Sequence, residues 1–253
     1  MTLEIITSDA LAPLRHGFFT RRGGASSGVF AGLNCGLGSS DQAEVVAINR
    51  QRVCDALQVT PSELISIFQL HSTTVHVITS ARQGGNILSG DAMVTKTPGL
   101  ALCVLSADCQ PVLLADHTAR VIGAAHAGWR GALAGVLEAT LSAMEGLGAT
   151  RTNISAVVGP AISQRAYEVG PEFLDDFITQ DPENSRFFAN GDGDRMLFDL
   201  PGFGLHRLRA AGIGRAEWTR HCTFSDPDRF FSYRRGTHAK EADYGRLLSG
   251  ILL

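Results

Sequence analysis

The hydrophobic pattern is clearest in the middle of the chain, where apolar runs alternate with short polar corners. Residues 100–105 and 111–115 are almost continuously apolar, which is typical of strands whose two faces are both buried. Small side chains dominate residues 120–125, so we predict a third strand whose backbone another element can approach closely. An apolar stripe at three- and four-residue spacing then predicts a helix that ends at Gly148.

The N-terminal part of the chain predicts two short strands, a long loop and a helix. The strands are expected at residues 3–6 and 16–20. Glycines and serines throughout residues 21–41 predict a loop with repeated turns, and ordered loops of this length are often functional. Asp41 is expected to cap a helix over residues 42–57.

The other segments complete a mixed pattern of strands and helices. Residues 64–79 are rich in β-branched side chains and predict two strands or one bent strand, with His71 at the bend. Beyond these, we predict a polar loop at 82–90, strands at 153–158, 216–223 and 230–234, helices at 171–180 and 199–211, a polar excursion at 181–197 and a short apolar segment at 247–253. The sequence has no internal repeat, linker or low-complexity tract, so we predict one domain over residues 1–253.

Composition and charge narrow the class of protein. Hydrophobic residues make up 44% of the chain and charged residues 19%, which is ordinary for a globular protein. The formal net charge of −3 indicates no basic surface for nucleic acid. No apolar run reaches the roughly 18 residues of a membrane span, and no secretory signal pattern is present, so we expect a cytoplasmic protein. The five scattered cysteines form no CxxC pair and predict no disulfide framework.

Three side chains that can bind a metal stand at the boundaries of the predicted strands. Cys109 and His126 each lie at the end of an apolar strand, where adjacent strands would bring them together, and His71 lies at the upstream bend. One thiolate and two imidazoles suit Zn²⁺ with an open fourth position, and they also suit copper. A second chemistry uses the same atoms, with Cys109 as a nucleophile and either histidine as its base.

Two arginine-containing turns are candidate anion sites. Gly128, Trp129 and Arg130 open the helix that follows the third strand, where free backbone N–H groups and a guanidinium can bind an anion. Arg21 stands at the entrance of the glycine-rich loop. Both arginines are phosphate-binding hypotheses, and solvated surface arginines would give the same pattern.

Several motifs in order resemble those of the laccase-domain family, once labelled multicopper polyphenol oxidases and now described as zinc-dependent purine nucleoside phosphorylases. The motifs, which span about residues 16–246, include TRRGG, FQLHS, GDAMVT, PGLALCVLSADCQPVLLAD, AAHAGWRG, VGPAISQRAYEVG and FFSYRR. The resemblance implies a single compact α+β domain with a mixed β-sheet core and helices packed on it. It also implies phosphorolysis of adenosine, inosine and S-methyl-5′-thioadenosine, together with adenosine deamination.

The resemblance assigns the metal ligands residue by residue. It implies that His71, Cys109 and His126 bind a catalytic zinc, with copper as the other metal to consider. We expect Arg21, Gln69, Asp91 and Arg130 to bind substrate. Phe68, Leu70 and Gly90 depart from the family pattern, in which Asn, Val and Ala are usual, and they can shift substrate preference.

Two other functions use the same motifs. A copper-dependent phenol oxidase would need several copper ions, and the eight histidines of this chain form no HxH pair. A partner-binding module without catalysis would show no nucleoside turnover. We expect purine nucleosides and phosphate as the ligands, no nucleic acid or membrane as partner, and a monomer or homodimer.

Overall fold

Two large β-sheets lie face to face, and helices cover the outer face of each sheet. The computed structural model describes residues 2–81 and 88–253, so the predicted loop at 82–90 lies mostly outside the described residues. The strands are β1 (Ile5–Ile6), β2 (His16–Phe19), β3 (Leu64–Ile65), β4 (Val75–Val77), β5 (Ala92–Thr95), β6 (Ala101–Ser106), β7 (Gln110–Asp116), β8 (Val121–Ala127), β9 (Ser155–Val158), β10 (Glu168–Val169), β11 (Phe188–Asn190), β12 (Met196–Phe198), β13 (Arg215–Trp218) and β14 (Leu247–Leu252). The helices are α1 (Ala43–Leu57), α2 (Trp129–Ala134), α3 (Val136–Gly146), α4 (Pro171–Gln180), α5 (Leu200–Ala210) and α6 (Tyr233–His238).

The sheets combine parallel and antiparallel pairs, which confirms the expected α+β class with a mixed sheet core. Among the described residues, one sheet has the order β1-β2-β14-β6-β3 and another the order β13-β9-β7-β8-β5-β4. A small third sheet has the order β10-β12-β11. Within the same residues, no helix has the length and apolar character needed to cross a bilayer.

Burial on both faces explains the unbroken apolar runs of β6, β7 and β8. In β6, Leu102 and Val104 pack between the two large sheets, whereas Ala101 and Cys103 face helix α1. The six-stranded sheet packs its other face against α3, α4 and α5. Helix α3 approaches β8 closely because Gly123 has no side chain, and a Cβ there would lie 3.3 Å from the Met144 sulfur. The small residues of this strand therefore have the role that the sequence predicts.

Several predicted elements differ from the observed ones. The predicted helix after β8 is broken by Gly135, whose φ of 101° separates α2 from α3. Asp41 does not cap α1. Its carboxylate instead accepts hydrogen bonds from Ser26 and Asn34 inside the glycine-rich loop. The predicted strand at 230–234 is wrong, because Ser232 caps the start of α6 there.

The sequence does not show that the last strand, β14, belongs to the core of a sheet. β14 lies between β2 and β6 in the middle of the five-stranded sheet, although residues 247–253 read only as a short apolar segment. The polar excursion at 181–197 likewise contains β11 and most of β12, which form an antiparallel hairpin. By contrast, α4 and the Asp199 cap of α5 agree with prediction.

Candidate metal centre

His71 lies in a tight turn between β3 and β4 and has a backbone φ of 59°. The buried carboxylate of Asp91 fixes this turn from the other side, because its Oδ2 accepts hydrogen bonds from the backbone N–H groups of Leu70 (3.1 Å) and Ser72 (2.6 Å). The Ser72 hydroxyl donates a third bond to the same oxygen, at 2.9 Å. Hydrogen bonds to both neighbours of His71 thus hold the turn in place, and the His71 side chain lies exposed at the protein surface.

Cys109 lies at the corner between β6 and β7, directly after Asp108. Asp108 has a φ of 95°, a strained conformation for a residue other than glycine. Its buried carboxylate accepts hydrogen bonds from Thr223 Oγ1 (2.6 Å), Ser232 Oγ (2.9 Å) and the Arg234 backbone N–H (2.7 Å). These bonds stabilise the corner and tie it to the segment between β13 and α6 and to the first turn of α6.

His126 is brought to Cys109 by the register of two neighbouring strands. Pro111 of β7 pairs with His126 of β8, and Cys109 lies two residues before Pro111. The His126 ring is buried, and its Nδ1 lies 2.9 Å from Asp91 Oδ1. An Nδ1–H that donates to this carboxylate leaves Nε2 as the ligand atom, which is a common arrangement for metal-binding histidines.

The three side chains converge in one cluster. The ligand atoms of His71, Cys109 and His126 all lie within 4.8 Å of one another. Cys109 Sγ is 3.8 Å from His71 Nε2, and the two imidazole rings meet edge to face with centroids 4.9 Å apart. Within the described residues, these three side chains lie close enough together to hold one metal ion.

The side chains of the cluster shift one another's protonation states. Burial opposes ionisation of the Cys109 thiol, but the neighbouring His126 and His71 outweigh burial and lower its pKa to about 7. Burial opposes the charge on His126, yet Cys109 and Asp91 raise its pKa to about 9. Although burial disfavours the Asp91 carboxylate, His126 and Ser72 lower its pKa below the usual range. Between these two pKa values the metal-free cluster pairs a Cys109 thiolate with a His126 imidazolium, whose proton a bound metal ion would displace.

Gly128 shows that the space around the cluster is matched to these ligands. A Cβ at this position would lie 2.7 Å from His71 Cδ2 and 2.8 Å from Cys109 Sγ, which is closer than real Cβ contacts. The residue at 128 must therefore lack a side chain for the two ligands to meet. Donor types, mutual distances and the Asp91 hydrogen bond all fit a divalent ion held by three ligands with an open position.

The residues that we expect to bind substrate differ from one another in burial and in hydrogen bonding. Both ends of the Gln69 amide bond the backbone of Leu105, with Nε2 donating at 2.7 Å and Oε1 accepting at 2.8 Å. Asp91 is fully buried behind His71 and His126. Arg130 is exposed, with its guanidinium carbon 4.8 Å from the Trp129 ring centre. As substrate contacts, these residues and Arg21 stay predictions.

Sequence reasoning missed several residues at the centre. Asp108 directly precedes Cys109, but its role in the corner appears only in three dimensions. Gly128 is predicted as part of a turn that binds an anion, and the sequence does not show that its missing side chain leaves room for His71 and Cys109. Arg234 is another such residue, since its backbone N–H donates to Asp108 beside Cys109 and its guanidinium lies over the Tyr167 ring. The Cys109 charge contributes to the raised pKa of Tyr167 and of Tyr244. The motifs containing Tyr167 and Arg234 were noted only as part of the family resemblance.

The fold and this centre define a protein of the laccase-like class, and comparison with known proteins identifies the family. Residues 15–253 match the family described as multi-copper polyphenol oxidoreductase laccase, and the chain belongs to it. A purine nucleoside phosphorylase of Pseudomonas aeruginosa is 38% identical over 235 residues, which cover 92% of this chain and 93% of that protein. The purine nucleoside phosphorylase YfiH of Escherichia coli K12 is 36% identical and covers 92% of this chain and 91% of its own length. A crystal structure of a Neisseria meningitidis protein has a TM-score of 0.89 at 35% identity, and the match covers 100% of this chain and 99% of that one.

Proposed function

We propose that the protein is a zinc-dependent purine nucleoside phosphorylase. It converts adenosine, inosine and S-methyl-5′-thioadenosine with phosphate into the free base and the sugar 1-phosphate, and it deaminates adenosine at the same centre. The observation that carries the proposal is the His71, Cys109 and His126 cluster, in a chain whose relatives are named purine nucleoside phosphorylases.

These three residues would hold the metal. One thiolate and two imidazoles are typical ligands of catalytic zinc and are also compatible with copper, so the choice of zinc rests on the donor set and on the family resemblance. A bound zinc ion supplies a Lewis acid and lowers the pKa of a coordinated water. Within the described residues, this group offers a place for one ion, whereas oxidation by several coppers requires more ligand sets.

The chain's own residues orient and charge the centre. Asp91 Oδ1 accepts a hydrogen bond from His126 Nδ1–H and so orients the ring with Nε2 left as the ligand atom. The same carboxylate fixes the His71 turn through its second oxygen. Exposure of His71 leaves the cluster open to solvent on one side, which gives a nucleoside access to the open position.

Elemental analysis and two activity assays test the proposal. Purified protein should contain about one zinc per chain, should release hypoxanthine from inosine only with phosphate, and should deaminate adenosine slowly. Cys109→Ala should abolish both activities and the bound metal, because the site loses a charged ligand. Cys222→Ala is the matched control, since this cysteine is also partly exposed but lies outside the cluster, and it should keep zinc and both activities.

Three outcomes would redirect the assignment. Full activity in protein stripped by a chelator, with activity lost in Cys109→Ala, would favour the Cys/His nucleophile over a metal. Efficient phenol oxidation only after copper loading would favour the oxidase. An absence of turnover with every nucleoside in protein that contains zinc would favour a module that binds a partner without catalysis.

A further inference from the structure

The phosphate of the proposed phosphorolysis requires a cationic subsite, and Arg21 is already engaged elsewhere. Its Nε donates to the Ala31 carbonyl and its Nη1 to the Pro227 carbonyl, both at 2.9 Å. The guanidinium carbon also lies 4.3 Å from the Phe231 ring centre. These contacts join the glycine-rich loop to the segment before α6, so Arg21 has a structural role that accounts for its position.

Arg234 is tied to the metal centre through Asp108. Its backbone N–H donates to Asp108 Oδ2 at 2.7 Å, and Asp108 directly precedes Cys109. The Arg234 side chain donates from Nη1 to the Glu168 carbonyl at 2.6 Å and lies over the Tyr167 ring, 5.2 Å from its centre. Within residues 2–81 and 88–253, its Nε and Nη2 donate no hydrogen bond. One edge of the guanidinium is therefore free for a ligand.

Arg130 approaches the metal centre along the chain from His126, four residues before it. It follows Gly128, whose lack of a side chain leaves room for His71 and Cys109, and Trp129, on whose ring its guanidinium lies. The Trp129 ring packs on Phe173 with centroids 4.4 Å apart, and Phe173 packs on Tyr167 at 5.9 Å. The Arg130 side chain is exposed and makes no hydrogen bond to the part of the chain that the structure describes.

The Tyr167 ring lies under Arg234 and is joined through Phe173 to Trp129, on which Arg130 lies. Burial raises the pKa of its hydroxyl, the Cys109 charge adds to this increase, and Arg234 and Arg130 oppose it. The charges of the metal-binding thiolate and of both guanidinium groups therefore act on one hydroxyl. That hydroxyl stays protonated at neutral pH and can donate a hydrogen bond.

We propose that Arg130, Arg234 and Tyr167 form a phosphate subsite beside the metal centre. This inference rests on the proposed phosphorylase function. In the reaction, a phosphate oxygen forms a bond to C1′ of the nucleoside while the C1′–N9 bond breaks and its electron pair goes to the base. The proton of hydrogen phosphate passes to the purine, so charge and atoms balance. Two guanidiniums and a hydroxyl supply positive charge and donors for the three phosphate oxygens that do not react.

The test compares Arg234→Met and Arg130→Met with the wild type. Methionine keeps apolar contact with the Tyr167 and Trp129 rings but removes the charge. Each variant should raise the KM for phosphate about 10- to 100-fold, the range expected for loss of a charged hydrogen bond, and should change the KM for inosine much less. Adenosine deamination uses water, so the ratio of deamination to phosphorolysis should rise. Tyr167→Phe should raise the KM for phosphate by a smaller factor.

Controls separate this subsite from a structural role and from the proposed function. Arg195→Met removes an exposed arginine between β11 and β12 and should leave both KM values unchanged. Calorimetric titration with inorganic phosphate measures binding without turnover, and elemental analysis checks the metal. The subsite would be overturned if both variants catalysed phosphorolysis with the phosphate KM of the wild type. It would also be overturned if the variants lost the metal together with both activities. A wild type that binds phosphate through these arginines but cleaves no nucleoside would refute the function and support the subsite.

Discussion

Gly128→Ala is the sharpest single test of the metal centre, because it adds one methyl group between two ligands. The new Cβ would lie 2.7 Å from His71 Cδ2 and 2.8 Å from Cys109 Sγ. The backbone at 128 has φ −67° and ψ 169°, which alanine adopts without strain. Its carbonyl accepts the Ala132 N–H at 2.8 Å in helix α2, so the backbone is held in place. The cost of the substitution therefore falls on the ligands.

The required displacement is large compared with the tolerance of a metal site. Ordinary van der Waals contact begins at 3.4 Å, so His71 and Cys109 must each move by more than half an ångström or turn away. Metal–ligand distances in a well-formed site vary by about 0.2 Å. Perturbation of the surroundings of metal ligands costs about 10- to 100-fold in affinity, or roughly 1.4 to 2.7 kcal/mol. We expect Gly128→Ala to reach at least this range.

The assay is competition for zinc with a chromophoric chelator, alongside thermal unfolding of the metal-free protein. Gly128→Ala should bind zinc more weakly while the metal-free protein unfolds near the wild-type temperature. Gly146→Ala is the matched control, since a Cβ there meets nothing within 4 Å and alanine favours a helix. Wild-type zinc affinity in Gly128→Ala would refute the close contacts among residue 128, His71 and Cys109. If metal-free Gly128→Ala no longer folded, the conclusion that the substitution affects the metal site and not the fold would be refuted.

Two further predictions concern the groups around the ligands. Asp91→Asn should lower zinc affinity about 10- to 100-fold, because one carboxylate orients both His126 and the His71 turn. It should also alter the visible absorption of the cobalt-substituted protein, and an unchanged spectrum would contradict this prediction. Zinc binding should release one proton between pH about 7 and about 9, where Cys109 is a thiolate and His126 is protonated, and more than one below pH 7. Affinity should therefore fall as the pH falls, and calorimetry in buffers of different ionisation enthalpy measures the protons released.

Most of the central sheet was predictable because its strands are buried on both faces. Continuous apolar runs fixed the approximate positions of β6 and β7, and small residues marked β8 under helix α3. β14 was missed because a six-residue apolar segment does not reveal that it lies in the middle of a sheet between β2 and β6. Its partners lie far away in the sequence, so no local pattern predicts the pairing.

The candidate metal ligands could be predicted partly from position and partly from the family resemblance. Cys109 and His126 stand at strand ends, and the β7–β8 register does bring them together. The proximity of His71 does not follow from spacing, since it depends on the hydrogen bonds between its turn and Asp91. A buried aspartate also looks the same in a sequence as one that binds a substrate, so only its surroundings show that Asp91 supports the ligands.

Two buried carboxylates explain how the centre is assembled from distant parts of the chain. Asp91 joins the His71 turn to the end of β8, and Asp108 joins the Cys109 corner to the segment before α6. Every one of these bonds is made by protein groups alone, so the ligands do not depend on the metal for their backbone positions. In this respect the site differs from small zinc domains, in which metal binding supplies the folding free energy. Metal should instead stabilise an already formed fold in proportion to its free concentration. Such preorganisation allows one ligand to remain exposed to substrate while the other two are fixed from within.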